Sequence, residues 1–372
     1  VTGHSTGVRG SARLADPTTI TVDVTTPRGA FTVTTTADVP LAAPTASAVP
    51  LLVPVAMRHG HTLRLDGAVD DTQAAGLDRV QTTLTSWYSH LGRATVDAPV
   101  VELPVDRAAG VGCFFSGGVD SFYSTLTRDE RITHLIFVVG FDLAPGHPLV
   151  DTALTEVRRA AESLNKTLVV VRTDVREMSD RHGMSWGPLY HGAAMAHVAI
   201  ALSDHVGTVL VPSSFVRGQT PPWGTHPDLD HHWATATSVL EHDAIEVTRP
   251  TKIARIAQDP TAMEHLRVCW QNRDGAYNCG RCEKCLRTML ALRAVGGRCR
   301  TLPHHIDSDA VGALRLTSGQ ARAMRRNIDA MTAAGTGTPD LLAAMQRAVD
   351  RSDRYWSRMF RAHAWVTARL PF

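Results

Sequence analysis

Val111-Gly112-Cys113-Phe114-Phe115-Ser116-Gly117-Gly118-Val119-Asp120-Ser121 is the stretch that decides the fold. Its first five residues are apolar or small, as in a strand buried on both faces, and its end opens a helix. Between them a Gly-Gly pair lets the backbone approach a ligand closely and adopt positive φ. Successive amide N–H groups, the positive end of the helix dipole and two serine hydroxyls would converge on an anion. The spacing and the Lys-Ser/Thr ending of a Walker A loop are absent.

Downstream the same alternation continues. The pattern predicts strands at 111–115, 134–139, 167–172 and 208–212, with helices at 121–128, 151–164, 190–203 and 251–258. Short apolar strands separated by helices predict an α/β fold with a doubly wound parallel sheet. Upstream, residues 11–66 are rich in Thr and Val. Alternation at 19–24 and 31–33 around Pro27-Arg28-Gly29 predicts a hairpin, with further strands at 50–55 and 62–65 and a helix at 70–90. Three segments are expected: a β-rich N-terminal appendage (1–100), an α/β domain (101–298) and basic C-terminal helices (299–372).

The chain has 372 residues, too many for one ordinary core, and 44% apolar residues, which argues against global disorder. Its formal net charge of +2 does not announce a nucleic-acid binder. That balance conceals a split. Residues 281–372 carry 16 Arg or Lys against 7 Asp or Glu, so the rest of the chain is net negative. Arginine supplies almost all the positive charge, and the lysines are Lys166, Lys252 and Lys284. The longest apolar run, 135–141, is far too short to cross a bilayer, and Val1 to Gly10 has no signal-peptide pattern. The expected location is cytoplasmic.

Four of the six cysteines form Cys269-x9-Cys279-x2-Cys282-x2-Cys285. Four thiolates suit a closed tetrahedral zinc site, and an iron–sulfur cluster is the competing use of the same ligands. Gly280 allows the sharp turn that aims consecutive sulfurs at one centre, and Arg281, Lys284 and Arg287 would offset the charge of the thiolates. A site without an open position is structural.

The string Ser116-Gly117-Gly118-Val119-Asp120-Ser121 resembles the pyrophosphate loop of the ATP pyrophosphatase superfamily. With the cysteine knuckle, the chain is similar to the 7-cyano-7-deazaguanine synthase family over about residues 110–295. The first cysteine spacer is nine residues rather than that family's eight, and both end segments are extra. The resemblance implies an adenine nucleotide alpha-hydrolase-like fold with a zinc knuckle. It also implies ATP and Mg2+ as cofactors beside Zn2+. Residues 116–121 would hold the β- and γ-phosphates, with Asp120 contacting Mg2+ directly or through water. Gly140-Phe141-Asp142 falls where the superfamily recognises adenine. Arg249-Pro250-Thr251-Lys252 resembles a Pro-x-Lys element whose Lys252 would donate to phosphate.

The implied reaction is a carbon–nitrogen ligation. A small-molecule carboxylate or amide oxygen takes AMP, pyrophosphate leaves, and ammonia or an amine attacks to give an amide or nitrile. Residues 213–233 follow a predicted strand's C-terminal end, where open α/β sheets bind ligands, and Trp223, His226, Asp228 and Asp230 are the expected substrate contacts. His182, Trp186 and His191 form a second polar and aromatic group. Sulfur transfer to an adenylated carbonyl is the rival, although Cys113 and Cys299 lack the paired spacing of a sulfur carrier. A non-catalytic nucleotide- or RNA-binding module is a third reading, kept open by the basic tail. No membrane partner is expected, and a homodimer is one expectation for the assembly.

Overall fold

The computed structural model describes residues 7–60 and 62–367, with side chains through Met359; the ends of the two terminal segments considered above lie outside the described residues. The chain forms two compact units, residues 1–116 with 120–248, and residues 117–119 with 249–372.

The first unit is built on strands β1 (Val8–Asp16), β2 (Thr19–Thr26), β3 (Gly29–Ala37), β4 (Leu63–Asp66), β5 (Val69–Asp70), β6 (Val96–Asp97), β7 (Val100–Val101), β8 (Val111–Phe114), β9 (His134–Val139), β10 (Thr167–Thr173), β11 (Thr208–Pro212) and β12 (Val239–Asp243). Ten of them make one sheet in the order β12-β11-β8-β9-β10-β3-β2-β1-β4-β6, while β5 and β7 pair separately. The run from β12 to β10 is parallel throughout. Numbered within that run, the strands read 5-4-1-2-3, so the order reverses between β8 and β11. Open α/β sheets bind ligands outside such a reversal.

Helices α1 (Pro44–His59), α2 (Asp71–Trp87), α3 (Val119–Thr127), α4 (Val150–Ser163), α5 (Val175–Arg181) and α6 (His191–Ala201) accompany the sheet. A single π-turn, Trp186–Tyr190, leads into α6. The N-terminal segment is no appendage. β3 pairs antiparallel with β10, so β1–β4 extend the parallel sheet, and both halves share one apolar core.

Residues 50–55 are helical, where a further strand was expected. A helix buried all round shows no amphipathic period, and Ser47 to Met57 are all buried. Pro50 and Pro54 lie inside α1 and each removes a helical donor. The carbonyl of Ala46, which Pro50 cannot reach, accepts instead from the Gln73 side-chain amide at 2.8 Å. His197 Nδ1 lies 2.8 Å from the Ser47 carbonyl, and its Nε2 lies 2.8 Å from the Thr35 hydroxyl. The carbonyl can only accept, so Nδ1 carries the hydrogen and Nε2 accepts from Thr35. One neutral imidazole thereby ties α6 to α1 and β3, and burial pushes it down to about 4.

The second unit is helical: α7 (Arg249–Ile256), α8 (Pro260–His265), α9 (Glu283–Ala294), α10 (Ser308–Gly312), α11 (Ser318–Ala333) and α12 (Pro339–Thr367). The cysteine knuckle belongs with these helices rather than with the sheet, so the expected boundary at 298 is not where the fold divides. The predicted strands and helices between 111 and 212 agree with the structure to within about two residues at their ends. The sequence placed no strand at β1, β5, β6, β7 or β12 and no helix at α5.

Candidate functional site

The strand β8 ends at the sheet's reversal point, and the chain turns through Ser116, Gly117 and Gly118 into α3. Gly117 has φ +72°, a backbone state that other residues adopt only under strain. Ser116 is exposed, Asp120 half-buried in the first turn of α3, and Ser121 buried. Across the reversal, just beyond β11, the Ser214 hydroxyl donates to Asp120 Oδ2 at 3.3 Å. The structure therefore gathers Asp120 and Ser214 where a doubly wound sheet presents ligands.

α3 is pinned from behind. Asp243, at the end of β12, accepts from the Ser124 hydroxyl at 2.6 Å and from Arg128 Nε at 3.0 Å. These contacts fix the helix whose N-terminus follows the loop. No sequence pattern links Ser124 with Asp243, 119 positions away.

Within the second unit, the Gly117 carbonyl accepts from the Arg267 backbone N–H at 2.7 Å. Arg267 is buried, its guanidinium stacks 5.8 Å from the Tyr277 ring centroid, and Nη2 donates to Asn272 Oδ1 at 3.2 Å. Its Nε is buried without a hydrogen-bond partner among the described residues. Sequence reasoning missed this arginine, because nothing distinguishes it from the others in an arginine-rich chain. Lys252 lies in α7, only 1% exposed, so the one lysine in the Pro-x-Lys element is an internal group of this unit.

Asp142 is exposed on the turn after β9. Gly140 before it has φ +116°, and a Cβ there would sit 1.9 Å from the Thr173 carbonyl oxygen, so the turn requires glycine. Arg176 Nη1 donates to the Phe141 carbonyl at 2.7 Å, and its guanidinium lies 5.3 Å from the Trp186 ring. Phe141, Trp186 and His191 meet edge to face, with centroids 5.3 to 5.6 Å apart. His182 does not join them. It is buried against Phe31 and His59, with its Nδ1 3.0 Å from His59 Nε2. Burial first, then the neighbouring His59, Arg28 and Arg181, pull it down to about 4.

The expected substrate residues separate into two kinds. Trp223 is half-buried, lies against Phe215 at 5.6 Å, and fills the space that a side chain at Gly187 would need. Asp228 is exposed. Asp230, by contrast, is 1% exposed, with one carboxylate oxygen accepting from the His226 backbone N–H at 3.0 Å and the other 2.7 Å from His242 Nδ1. His226 is buried on the Trp87 ring at 4.8 Å, and its Nδ1 accepts from the Asp228 N–H at 3.1 Å. Burial lowers its pKa, opposed by Asp228. Asp230 and His226 are internal anchors of the loop, not the ligand-facing groups their spacing suggested.

The four cysteines converge. Their sulfurs lie within 4.8 Å of one another, with Cys269 Sγ 3.8 Å from Cys282 Sγ. Zn–S bonds of ~2.3 Å in a tetrahedron would set sulfurs about 3.8 Å apart. Backbone N–H groups of Asn272, Cys282 and Cys285 donate to Cys269, Cys279 and Cys282 respectively. Gly280, with φ +66°, makes the turn, and a Cβ there would come within 2.5 Å of Pro303. Asn278 holds the facing segment, Leu266 to Cys269. Its Oδ1 accepts from Val268 and Cys269 N–H, and its Nδ2 donates to the Leu266 carbonyl and the Thr301 hydroxyl.

Without a bound cation, the thiols compete for charge. A hydrogen bond from the Cys285 thiol holds Cys282 well below the usual thiol range, while that same bond raises Cys285 and burial raises Cys269. A divalent ion removes this conflict by taking all four as thiolates. The group can hold a metal ion such as zinc. Cys113 and Cys299 are buried apart from it, and burial raises both thiols.

Comparison with protein-family models, with curated proteins and with solved structures finds no match. Among the described residues, no helix is long and apolar enough to cross a membrane.

Proposed function

We propose that this chain is an ATP-dependent carbon–nitrogen ligase that adenylates a small-molecule carboxylate, releases pyrophosphate, and passes the activated acyl group to ammonia or an amine. The observation that carries the reading is the Ser116–Ser121 loop at the sheet's reversal point, with Asp120 and Ser214 side by side. The backbone of the loop is shaped to accept an anion, since Gly117 already has positive φ and α3 begins directly after it.

ATP would supply the adenylyl group that turns a carboxylate oxygen into a leaving group. Ser116, Gly117, Gly118, Val119 and Ser121 would bind its phosphates, and Asp120 would hold Mg2+ with Ser214 orienting the carboxylate. Lys252 is the proposed point charge for phosphate, a role that rests on the resemblance of its motif. Arg176, Phe141, Trp186 and His191 line the ends of β9 and β10, as Asp142 does, and would position adenine or acceptor there. No side-chain nucleophile is needed. The residues orient reactants and neutralise phosphate charge.

Zn2+ is the proposed occupant of the cysteine site. A multi-iron cluster would spread its thiolates around several metal atoms, whereas these sulfurs lie at single-ion separation. Sulfur transfer ranks below ligation because Cys113 and Cys299 are buried and their thiols are held protonated.

The test is ATP-dependent pyrophosphate release over a panel of carboxylic acids with ammonia. Asp120→Ala should lower turnover by at least ~1000-fold while thermal melting is unchanged, as expected when a preorganised charge is lost at the reacting centre. Near-normal turnover of that variant would sink the reading.

A further inference from the structure

The basic surplus of the C-terminal segment is not spread evenly. Arg347, Arg351, Arg354 and Arg358 lie on α12 at spacings of four, three and four, so they form one stripe along a single face. All four are exposed, and none forms an ion pair among the described residues. Arg325 of α11 pairs with Asp353, and Asp350 accepts from the Gln346 amide at 2.7 Å. The stripe spans ~16 Å with roughly one guanidinium per turn. Exposed Arg322 and Arg326 add to the charge of α11.

Beside the stripe stand Tyr355 and Met359, 55% and 49% exposed. Tyr355 follows Arg351 by four residues and precedes Arg358 by three, so its ring borders both. Its neighbour Trp356 faces inward and donates to the Leu316 carbonyl at 3.3 Å. Earlier in the helix the apolar side is covered, with Leu341, Ala344, Met345, Ala348 and Val349 all buried.

We propose that this face of α12 binds single-stranded nucleic acid, with Arg351, Arg354 and Arg358 on successive phosphates and Tyr355 stacking on a base. Regularly spaced guanidiniums match a linear polyanion with regularly spaced charges, and each fork can take a phosphate by two hydrogen bonds. An exposed aromatic beside them is the second element of a single-strand platform. A lipid surface fits less well. Interfacial helices need a long uncovered apolar face, and among the described residues that face is buried along Leu341 to Val349.

The test uses the full chain without ATP, so it is independent of the ligase reading. Fluorescence anisotropy would follow 20-nucleotide mixed-sequence RNA and DNA, with a poly-glutamate peptide and phosphatidylserine vesicles as competitors. We expect binding in the range of about 1–100 μM near physiological salt, with a log–log salt slope of about −2 for three phosphate contacts. R351A/R354A/R358A should lower affinity at least ~10-fold and reduce the slope by about 2. Tyr355→Ala should weaken binding at least ~5-fold and leave the slope alone. R158A/R159A, two exposed arginines of α4, should bind like the parent. Unchanged binding by the triple variant, equal loss in the α4 control, or stronger competition by peptide or vesicles would each overturn the proposal. Preference between RNA and DNA identifies the natural strand.

Discussion

The two units achieve order by different means. The first has a ten-stranded sheet and a continuous apolar core from β1 to β12, and its buried polar atoms answer one another across elements: Gln73 to Ala46, His197 to Ser47 and Thr35, Asp243 to α3. The second has helices of 5 to 29 residues and a segment, 265–285, whose geometry converges on four sulfurs. A large sheet supplies enough apolar area to fix itself. A small helical unit without that area depends on a cross-link, here four thiols that repel one another as anions unless a cation joins them.

Metal removal should separate the units most sharply. Chelation, or Cys282→Ser, should destabilise the second unit by about 5 kcal/mol or more, since structural zinc sites contribute folding energy directly. Hydrogen exchange would show lost protection in α9 while β8–β11 keep theirs. Equal loss in both units would end the contrast, and so would no loss in either.

Acid should discriminate in the opposite sense. The unfolded chain binds a proton at His197 below about pH 6.5, whereas the folded first unit keeps that ring neutral until about 4. Stability from this group is therefore complete above 6.5 and falls as pH drops toward 4. Between pH 7 and pH 5 the loss should be about 2 kcal/mol, at ~1.4 kcal/mol per unit of pH below 6.5. His182 contributes in the same direction. Denaturation at the two pH values measures the effect, and His197→Gln should flatten it. An unflattened profile would mean that other groups titrate.

The smallest of the three effects concerns the proline-containing helix. Gln73→Leu strips the Ala46 carbonyl of its partner and should cost about 1–2 kcal/mol. Urea denaturation followed in the first unit checks it. A neutral result would mean that water replaces the amide and that α1 is held by packing alone.

Legibility in the sequence followed the range of the interactions. The 116–121 loop, the strands at 134–139 and 208–212, and the cysteine set are written in contiguous residues, because a buried strand, a positive-φ turn and a metal knuckle each have a local chemical requirement. The helix α1 was misread because full burial erases its period and two prolines imitate a strand's edges. The N-terminal segment looked separate because strand pairing across 136 positions, Thr36 with Arg172, leaves no trace in either strand. Asp230 and His226 looked like ligands because side-chain type says nothing about direction. Only the fold turns the Asp230 carboxylate inward to His242.

The sequence by itself determined an alternating strand–helix core, a glycine-turned strand-to-helix loop and a cluster of four cysteines, since each depends on nearby residues. Tertiary structure alone decided that the N-terminal strands complete the same sheet, that the cysteines belong with the C-terminal helices, and which polar side chains remain available to a ligand. Those outcomes depend on burial and, for the N-terminal strands, on partners more than a hundred residues away. Burial also determines whether a carboxylate serves the fold or faces solvent, because a polar group removed from water must find its partner inside the protein.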